Sequence, residues 1–213
     1  MQILKDIRYL PENGFRGTGD LFLPEPDCST GKIALSIHGG GWASMDKDSF
    51  AGVAAFLAEN GLAVFNINYR LAGAAPFPAC AEDCLAAADF VIGKNIPELN
   101  GFDCSRLLVI GASAGGHLAL MTGLKLGRKR ALGIAAISAI ADLMPDFTAN
   151  RERYSILFGH EPEGAEMISA SPVELVAADS PPMFLTHYIN DRVVPVESSV
   201  NFIKKAKSLN AEV

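Results

Sequence analysis

Short apolar runs of β-strand character alternate with helical segments along most of this chain. Five runs are predicted to be strands, at residues 32–37, 62–68, 106–110, 132–137 and 182–187. Four helices are predicted among them, at residues 48–59, 81–92, 114–125 and 197–209. Near-continuous apolar strands separated by helices are typical of a mainly parallel sheet with helices on both faces. The predicted fold class is therefore α/β.

The first thirty residues follow a different pattern. Residues 3–9 and 20–23 have strand character, and Asn13-Gly14, a common turn signal, lies between them. We expect two antiparallel strands here, added at one edge of the parallel sheet.

Residues 142–171 are the longest stretch without a clear assignment. The stretch is mixed in character and contains Pro145, Gly159, Pro162 and Gly164. Long connections in α/β proteins often cover a site at the carboxyl ends of the strands. We therefore expect a cap segment at about residues 142–171, with a surface excursion as the alternative.

Length and composition favour a single domain that covers residues 1–213. Hydrophobic residues make up 49% and charged residues 20% of the chain, which suits one well-buried core, and no linker divides it. The net charge of -6 gives no support to nucleic-acid binding. No stretch is long and apolar enough to span a bilayer, and the first residues do not resemble a signal peptide. We therefore predict a cytoplasmic protein without nucleic-acid or membrane partners.

The cysteines are too few to form a dense disulfide framework. They are Cys28, Cys80, Cys84 and Cys104. In the cytoplasm they are expected to be reduced thiols. Cys80 and Cys84 share one face of a predicted helix, but no histidine adjoins them, so packing is favoured over a metal site.

A serine lies at the junction of a predicted strand and a predicted helix, in Gly111-Ala112-Ser113-Ala114-Gly115. A nucleophilic serine on a strained turn needs small neighbours, so that the backbone can bend and the substrate can approach. A second glycine cluster, His38-Gly39-Gly40-Gly41-Trp42, follows the strand at 32–37. Together the two motifs predict acyl-transfer chemistry.

Five motifs, taken in order along the chain, resemble the α/β-hydrolase family, and within it the hormone-sensitive-lipase-like and feruloyl- or acetyl-esterase-like carboxylesterases. They are His38-Gly39-Gly40-Gly41-Trp42, Asn68-Tyr69-Arg70-Leu71, Phe77-Pro78-Ala79 with Asp83, Gly111-Ala112-Ser113-Ala114-Gly115-Gly116, and Asp191-Arg192-Val193-Val194-Pro195. The resemblance extends from about residue 20 to the C terminus. It implies an α/β-hydrolase fold and a serine esterase that uses no metal or organic cofactor.

The resemblance also implies a role for each of five residues. Ser113 corresponds to the nucleophile and Asp191 to the acid that orients the catalytic histidine. The backbone N–H groups of Gly40, Gly41 and Ala114 correspond to the oxyanion hole, where a Cβ on the glycine loop would block the carbonyl oxygen of the substrate.

Four more residues near these motifs are expected to be structural. His38 is expected to brace the glycine loop, and His117 to be a core histidine whose ring nitrogens have partners. Trp42 could line the acyl or alcohol pocket, although packing is favoured. Asp83 is likewise expected to stabilise the fold.

The sequence departs from the family pattern because no histidine follows Asp191. The triad order in this fold is Ser, Asp, His, and a serine without a base is a poor nucleophile at neutral pH. We favour a truncated esterase, since Asn210 resembles a helix C-cap and residues 211–213 resemble the opening of a strand. The last strand would then be missing, and the exposed sheet edge could support a homo-oligomer.

The missing histidine is also compatible with two alternatives to truncation. His187 or His160 could take the place of the base. Alternatively, the chain could be a pseudoenzyme that keeps the fold and a pocket.

The predicted function is hydrolysis of short-chain acyl esters, of the acetyl or feruloyl type, through an acyl-enzyme on Ser113. The expected partner is a small-molecule ester. The alternatives are a catalytically silent small-molecule binding module on the same fold and an amide-directed relative of the kynurenine formamidase type. Nucleotide binding is disfavoured because neither glycine loop has a Gly-Lys-Ser/Thr or Gly-x-Gly-x-x-Gly pattern.

Overall fold

A seven-stranded sheet forms the centre of the structure, a computed structural model that describes residues 1–147 and 150–213. The strands are β1 (Gln2–Arg8), β2 (Thr18–Leu23), β3 (Ile33–Ile37), β4 (Ala63–Ile67), β5 (Leu107–Ala112), β6 (Ala131–Ile137) and β7 (Met183–Thr186). Their order across the sheet is β1-β2-β4-β3-β5-β6-β7. The strands from β3 to β7 pair in parallel, whereas β1 and β2 are antiparallel additions beside β4. The predicted α/β sheet with antiparallel N-terminal edge strands is confirmed.

The described residues form seven α-helices, which lie between or after the strands in chain order. They are α1 (Ala51–Glu59), α2 (Ala79–Ile92), α3 (Ala114–Arg130), α4 (Met144–Phe147), α5 (Arg151–Phe158), α6 (Gly164–Ser169) and α7 (Val196–Ser208). The first begins three residues later than predicted, because Lys47–Phe50 forms a 3-10 turn and the backbone of Phe50 is not helical. Within the described ranges, no helix has the length and apolar character needed to cross a membrane.

Apolar side chains pack on both faces of the sheet. Neighbouring residues of β3 point to opposite faces, and Leu35 belongs to the main core while Ala34 belongs to a smaller cluster. In that smaller cluster, Ala54 and Ala58 of α1 pack against Val64 of β4. Because both faces are covered, the parallel strands are apolar along nearly their whole length.

The described residues of the 142–171 segment, which are 142–147 and 150–171, pack beside the carboxyl ends of the strands. The N–H of Phe77 donates to the carbonyl oxygen of Leu157 in α5 at 2.8 Å. The ring of Tyr154, also in α5, packs against Trp42 of the glycine loop. The segment therefore adjoins the glycine loop, and its role as a cap stays a prediction.

Cys80 and Cys84 are both free and fully buried on α2. Desolvation raises the pKa of both thiols, that of Cys80 to about 12. The two side chains are therefore part of the packed core, as the sequence predicts.

Candidate active site

Ser113 lies on a sharp turn between β5 and α3. Its backbone has φ 56° and ψ -121°, a conformation that non-glycine residues rarely adopt. The turn is held on both sides, because the N–H of Ser113 donates to Ile137 at 2.8 Å and its carbonyl accepts from the N–H of His117 at 3.0 Å. The predicted strand–turn–helix arrangement is therefore present, with a half-buried serine at its tip.

Two glycines make this turn sterically feasible. A Cβ on Gly115 would overlap the carbonyl oxygens of Ile37 and His38 at the end of β3. A Cβ on Gly111 would overlap the carbonyl oxygen of Gly115 itself. The glycines thus let the start of α3 pack directly against the sheet, which places Ser113 above it.

The glycine loop after β3 runs beside the turn. A Cβ on Gly39 would lie 3.6 Å from the Cβ of Ser113. Gly40 and Gly41 have φ values of 107° and 59°, which favour glycine. Among the described residues, the N–H groups of Gly40, Gly41 and Ala114 donate to no protein acceptor. These donors are therefore free to bind a ligand.

A cavity of about 480 Å³ connects the two motifs. Its lining residues are Gly39, Gly40, Gly41, Ser44, Met45, Ser49, Phe50, Ala112, Ser113 and Val193. None of these side chains carries a charge. The space in front of Ser113 therefore suits an uncharged group.

His38 braces the glycine loop from below. Its Nδ1 atom lies 2.7 Å from the carbonyl oxygen of Gly39, and its ring stacks on Tyr69 with the centroids 4.3 Å apart. The hydroxyl of Tyr69 also donates to the Gly39 carbonyl. Burial lowers the pKa of His38 to about 4, so the ring is neutral at physiological pH. The predicted bracing role is confirmed.

His117 and Trp42 form a buried pair behind the turn. The indole Nε1 of Trp42 donates to Nδ1 of His117 at 3.1 Å, and Nε2 of His117 lies 2.8 Å from the carbonyl oxygen of Ala170. Burial lowers the pKa of His117 to about 4. Both ring nitrogens have partners, so His117 is the core histidine that was predicted. Trp42 is fully buried and packs in the core instead of lining the cavity.

Asp83 stabilises the loop that follows β4. Both of its carboxylate oxygens contact the guanidinium of Arg70, with Oδ1 2.7 Å from Nη2. The backbone N–H of Arg70 donates to Oδ2 at 2.8 Å. The side chain of Asp83 is 1% exposed, which agrees with its predicted structural role.

Asp191 lies in the loop between β7 and α7. Its Oδ1 atom accepts hydrogen bonds from the backbone N–H groups of Val193 and Val194, at 2.8 and 2.9 Å. The N–H of Val194 is the largest cause that lowers the pKa of this carboxyl, followed by Val193, the side chain of Ser138 and the charge of His187, while burial opposes the shift. Asp191 is therefore a carboxylate at neutral pH.

Ser113 and Asp191 lie on the same edge of the sheet, at the carboxyl ends of β5 and β7. The strand between them is β6, and its carboxyl end is hydrogen-bonded both to Ser113 and to β7. Ile137 accepts from Ser113, and the N–H of Ser138 donates to Thr186 of β7 at 2.7 Å. Val193, from the loop of Asp191, lines the cavity at Ser113.

The two histidines that the sequence offers as an alternative base are engaged elsewhere. Both ring nitrogens of His187 have partners, the hydroxyl of Ser199 and the carbonyl of Val194. His160 is exposed and its Nε2 atom lies 3.1 Å from both carboxylate oxygens of Glu166. Among the described residues, no histidine nitrogen hydrogen-bonds to the hydroxyl of Ser113. This geometry gives no support to either substitution.

Comparison with known proteins decides the family. Residues 20–206 match the family described as BD-FAE. The chain belongs to the BD-FAE family. It is thus a hormone-sensitive-lipase-like α/β-hydrolase, as the motifs predict.

Two curated relatives illustrate the similarity of this BD-FAE chain to named esterases. The probable carboxylic ester hydrolase LipM of Mycobacterium tuberculosis is 28% identical over 212 residues, which cover 89% of this chain and 48% of LipM. The versiconal hemiacetal acetate esterase stcI of Emericella nidulans is 34% identical over 137 residues, or 60% of this chain and 44% of that protein. The BD-FAE chain therefore spans less than half the length of these two relatives.

Solved structures confirm the fold of the BD-FAE chain. The truncated form of a carbohydrate esterase from gut microbiota superimposes with a TM-score of 0.85 at 22% identity. The match covers 100% of this chain and 85% of that structure.

The sequence motifs did not identify several residues of the site. Ser138 faces Asp191 from the end of β6, and Met45 and Phe50 line the cavity from the segment after the glycine loop. The ring of His187 lies 3.7 Å from Asp191. The sequence offers His187 only as a possible base, and its spacing of four residues from Asp191 is the signal for this pairing.

Proposed function

We propose that this chain is the serine esterase unit of an enzyme that hydrolyses short-chain acyl esters. Ser113 is the nucleophile, Asp191 is the acid of the triad, and the N–H groups of Gly40, Gly41 and Ala114 form the oxyanion hole. The observation that carries the proposal is the strained turn of Ser113, which faces unbonded N–H groups across an uncharged cavity.

The chemistry proceeds in two steps. The hydroxyl oxygen of Ser113 attacks the ester carbonyl while a base takes its proton, and the negative charge that develops on the carbonyl oxygen is stabilised by the three N–H groups. The bond to the alcohol then breaks, and the alcohol leaves with that proton. Water hydrolyses the acyl-enzyme in the same way and restores the serine.

The base in this proposal is a histidine other than the four histidines of the sequence, His38, His117, His160 and His187. Asp191 would hydrogen-bond the imidazole and stabilise its protonated form. Since the pKa of Asp191 is lowered by its backbone donors, the carboxylate is ready for this task at neutral pH.

The uncharged lining of the cavity favours small neutral acyl groups of the acetyl or feruloyl type. Two relatives support the acetyl type, because their names describe a hemiacetal acetate esterase and an ethyl acetate hydrolase. Amide hydrolysis and ligand binding without catalysis are the alternatives that an experiment must separate.

Imidazole in solution can test the proposal, because it can stand in for the missing side chain. The chain is incubated with p-nitrophenyl acetate, with and without imidazole, and the acetylated residue is identified by peptide mass spectrometry. We expect imidazole to speed the formation of an acetyl group on Ser113. Once the ester and imidazole are removed, this acetyl group should persist, because deacylation also needs the base. The Ser113→Ala variant gives the background from solvent-exposed lysines.

Two outcomes would contradict the proposal. If Ser113 is not acetylated above background even with imidazole, the chain is a silent binding module. If Ser113 is acetylated by an activated anilide but not by the ester, the site is directed to amides.

A further inference from the structure

The ring of His187 connects the loop of Asp191 to the first turn of α7. His187 directly follows β7, and its side chain is only 4% exposed. Its Nδ1 atom lies 2.8 Å from the hydroxyl of Ser199, and its Nε2 atom lies 3.0 Å from the carbonyl oxygen of Val194. The ring therefore has one partner in the helix and one in the loop.

The nature of these partners determines which nitrogen of His187 carries the proton. A carbonyl oxygen can only accept, so Nε2 must be protonated to donate to Val194. In the neutral ring Nδ1 is then the acceptor for the hydroxyl proton of Ser199. No lone pair remains to accept a proton from Ser113, so His187 has a role other than that of a base.

The residue that His187 holds is the same one that holds Asp191. The carbonyl of Val194 accepts from His187, while its N–H donates to Oδ1 of Asp191 at 2.9 Å. The N–H of Val193 donates to that oxygen as well. A displacement of Val194 would therefore disturb the orientation of the carboxylate and one of the contacts that lower its pKa.

The first turn of α7 is a firm support for this contact. The hydroxyl of Ser198 accepts from the backbone N–H groups of Ala141 and Asp142, at 2.8 and 3.0 Å. This ties α7 to the chain that follows β6. Ser199, the next residue, is buried and contacts His187. His187 thus links the acid loop to a helix that is itself fixed to the sheet.

We propose that His187 is a positioning residue for Asp191. It holds Val194 between the loop and α7, so that Asp191 keeps its backbone donors and its orientation at the edge of the sheet where Ser113 lies. This role of His187 rests on the proposed function, in which Asp191 is the acid of the triad. It replaces the alternative in which His187 is a substitute base.

Hydrogen exchange of the Val193 and Val194 amides at neutral pH tests the contact itself. His187→Phe keeps the shape of the ring but removes both hydrogen bonds. We expect exchange of these two amides to become about fivefold faster or more, the effect of losing a net hydrogen bond on local opening. The amide of Val109 in the centre of the sheet reports on the fold and should not change. Unchanged exchange at Val193 and Val194 in a folded His187→Phe variant would overturn the proposal.

Conservative variants separate positioning from a general loss of packing. His187→Gln places an amide N–H near the position of Nε2 and should restore slow exchange at Val194. Ser199→Ala removes only the partner of Nδ1 and should speed exchange at Val194, whereas Ser198→Ala should instead loosen Ala141 and Asp142. If His187→Phe does not fold, Ser199→Ala decides: the absence of any effect at Val194 would refute the proposal.

The acetylation assay adds a functional readout. If His187 positions the acid, His187→Phe should raise the imidazole concentration needed for half-maximal acetylation of Ser113, and His187→Gln should bring it back. A complete absence of Ser113 acetylation in the unmodified chain would refute the proposed function alone, because amide exchange still tests the contact between His187 and Val194.

Discussion

Gly115 lies directly against the carbonyl group of His38, and this contact connects the helix after Ser113 to the strand before the glycine loop. The two motifs of the site are therefore in contact through their backbones. A side chain at position 115 would push them apart, since a Cβ there would also overlap the carbonyl oxygen of Ile37.

Gly115→Ala is expected to destabilise the protein by about 1–3 kcal/mol, the usual cost of adding an atom to a tightly packed region. Urea unfolding measures the loss. Gly52→Ala is the matched control, because Gly52 is in α1 with open space around its Cβ position, and its stability should be unchanged or about 0.5 kcal/mol higher. Equal stability of the two variants would contradict this account of the turn.

The parts of the site that could be predicted from the sequence are those determined by neighbouring residues. The apolar run before Ser113 and the small residues around it define a strand, a turn and a helix within a few residues. The glycine loop could be predicted equally well, because three consecutive glycines just after a predicted strand indicate a turn with positive φ angles. Gly40 and Gly41 have such angles in the structure.

The remaining contacts join residues far apart in the chain. Ser138 meets Asp191 only because β6 and β7 are neighbours in the sheet. His117 meets Ala170 only because the chain after α6 packs against α3. No local pattern encodes such pairs. The sequence could therefore show that His117 suits a core position, but its partners had to come from the structure.

Folding stability is expected to fall between pH 6.5 and pH 4 because of two buried histidines. Burial lowers the pKa of His38 and His117 to about 4, whereas an unfolded histidine has a pKa of about 6.5. Above pH 6.5 both histidines are neutral in the folded and in the unfolded state, so they do not reduce the free energy of unfolding. As the pH falls through 6.5 only the unfolded state binds the protons, and the penalty reaches about 3 kcal/mol per histidine once the folded state protonates near pH 4.

Urea unfolding at a series of pH values measures this dependence. His117→Gln removes one of the two groups. The slope of the free energy of unfolding against pH between 6.5 and 4 should therefore correspond to the uptake of about one proton fewer on unfolding. The comparison uses the slope with pH, which is separate from any loss of stability that the variant shows at neutral pH. An unchanged slope would mean that His117 already binds a proton in the folded state at pH 5.

Removal of the charge of Asp83 is expected to cost far more than removal of an exposed charge. Asp83→Asn would leave Arg70 with only the exposed carboxylate of Glu82, 3.7 Å away. We expect a loss of about 3 kcal/mol, the lower end for buried pairs because the side chain of Arg70 is 32% exposed. Asp89→Asn is the control, since its ion pair with Arg130 is exposed on both sides and should contribute less than about 1 kcal/mol. Urea unfolding of both variants would contradict the structural role of Asp83 if the two losses were equal.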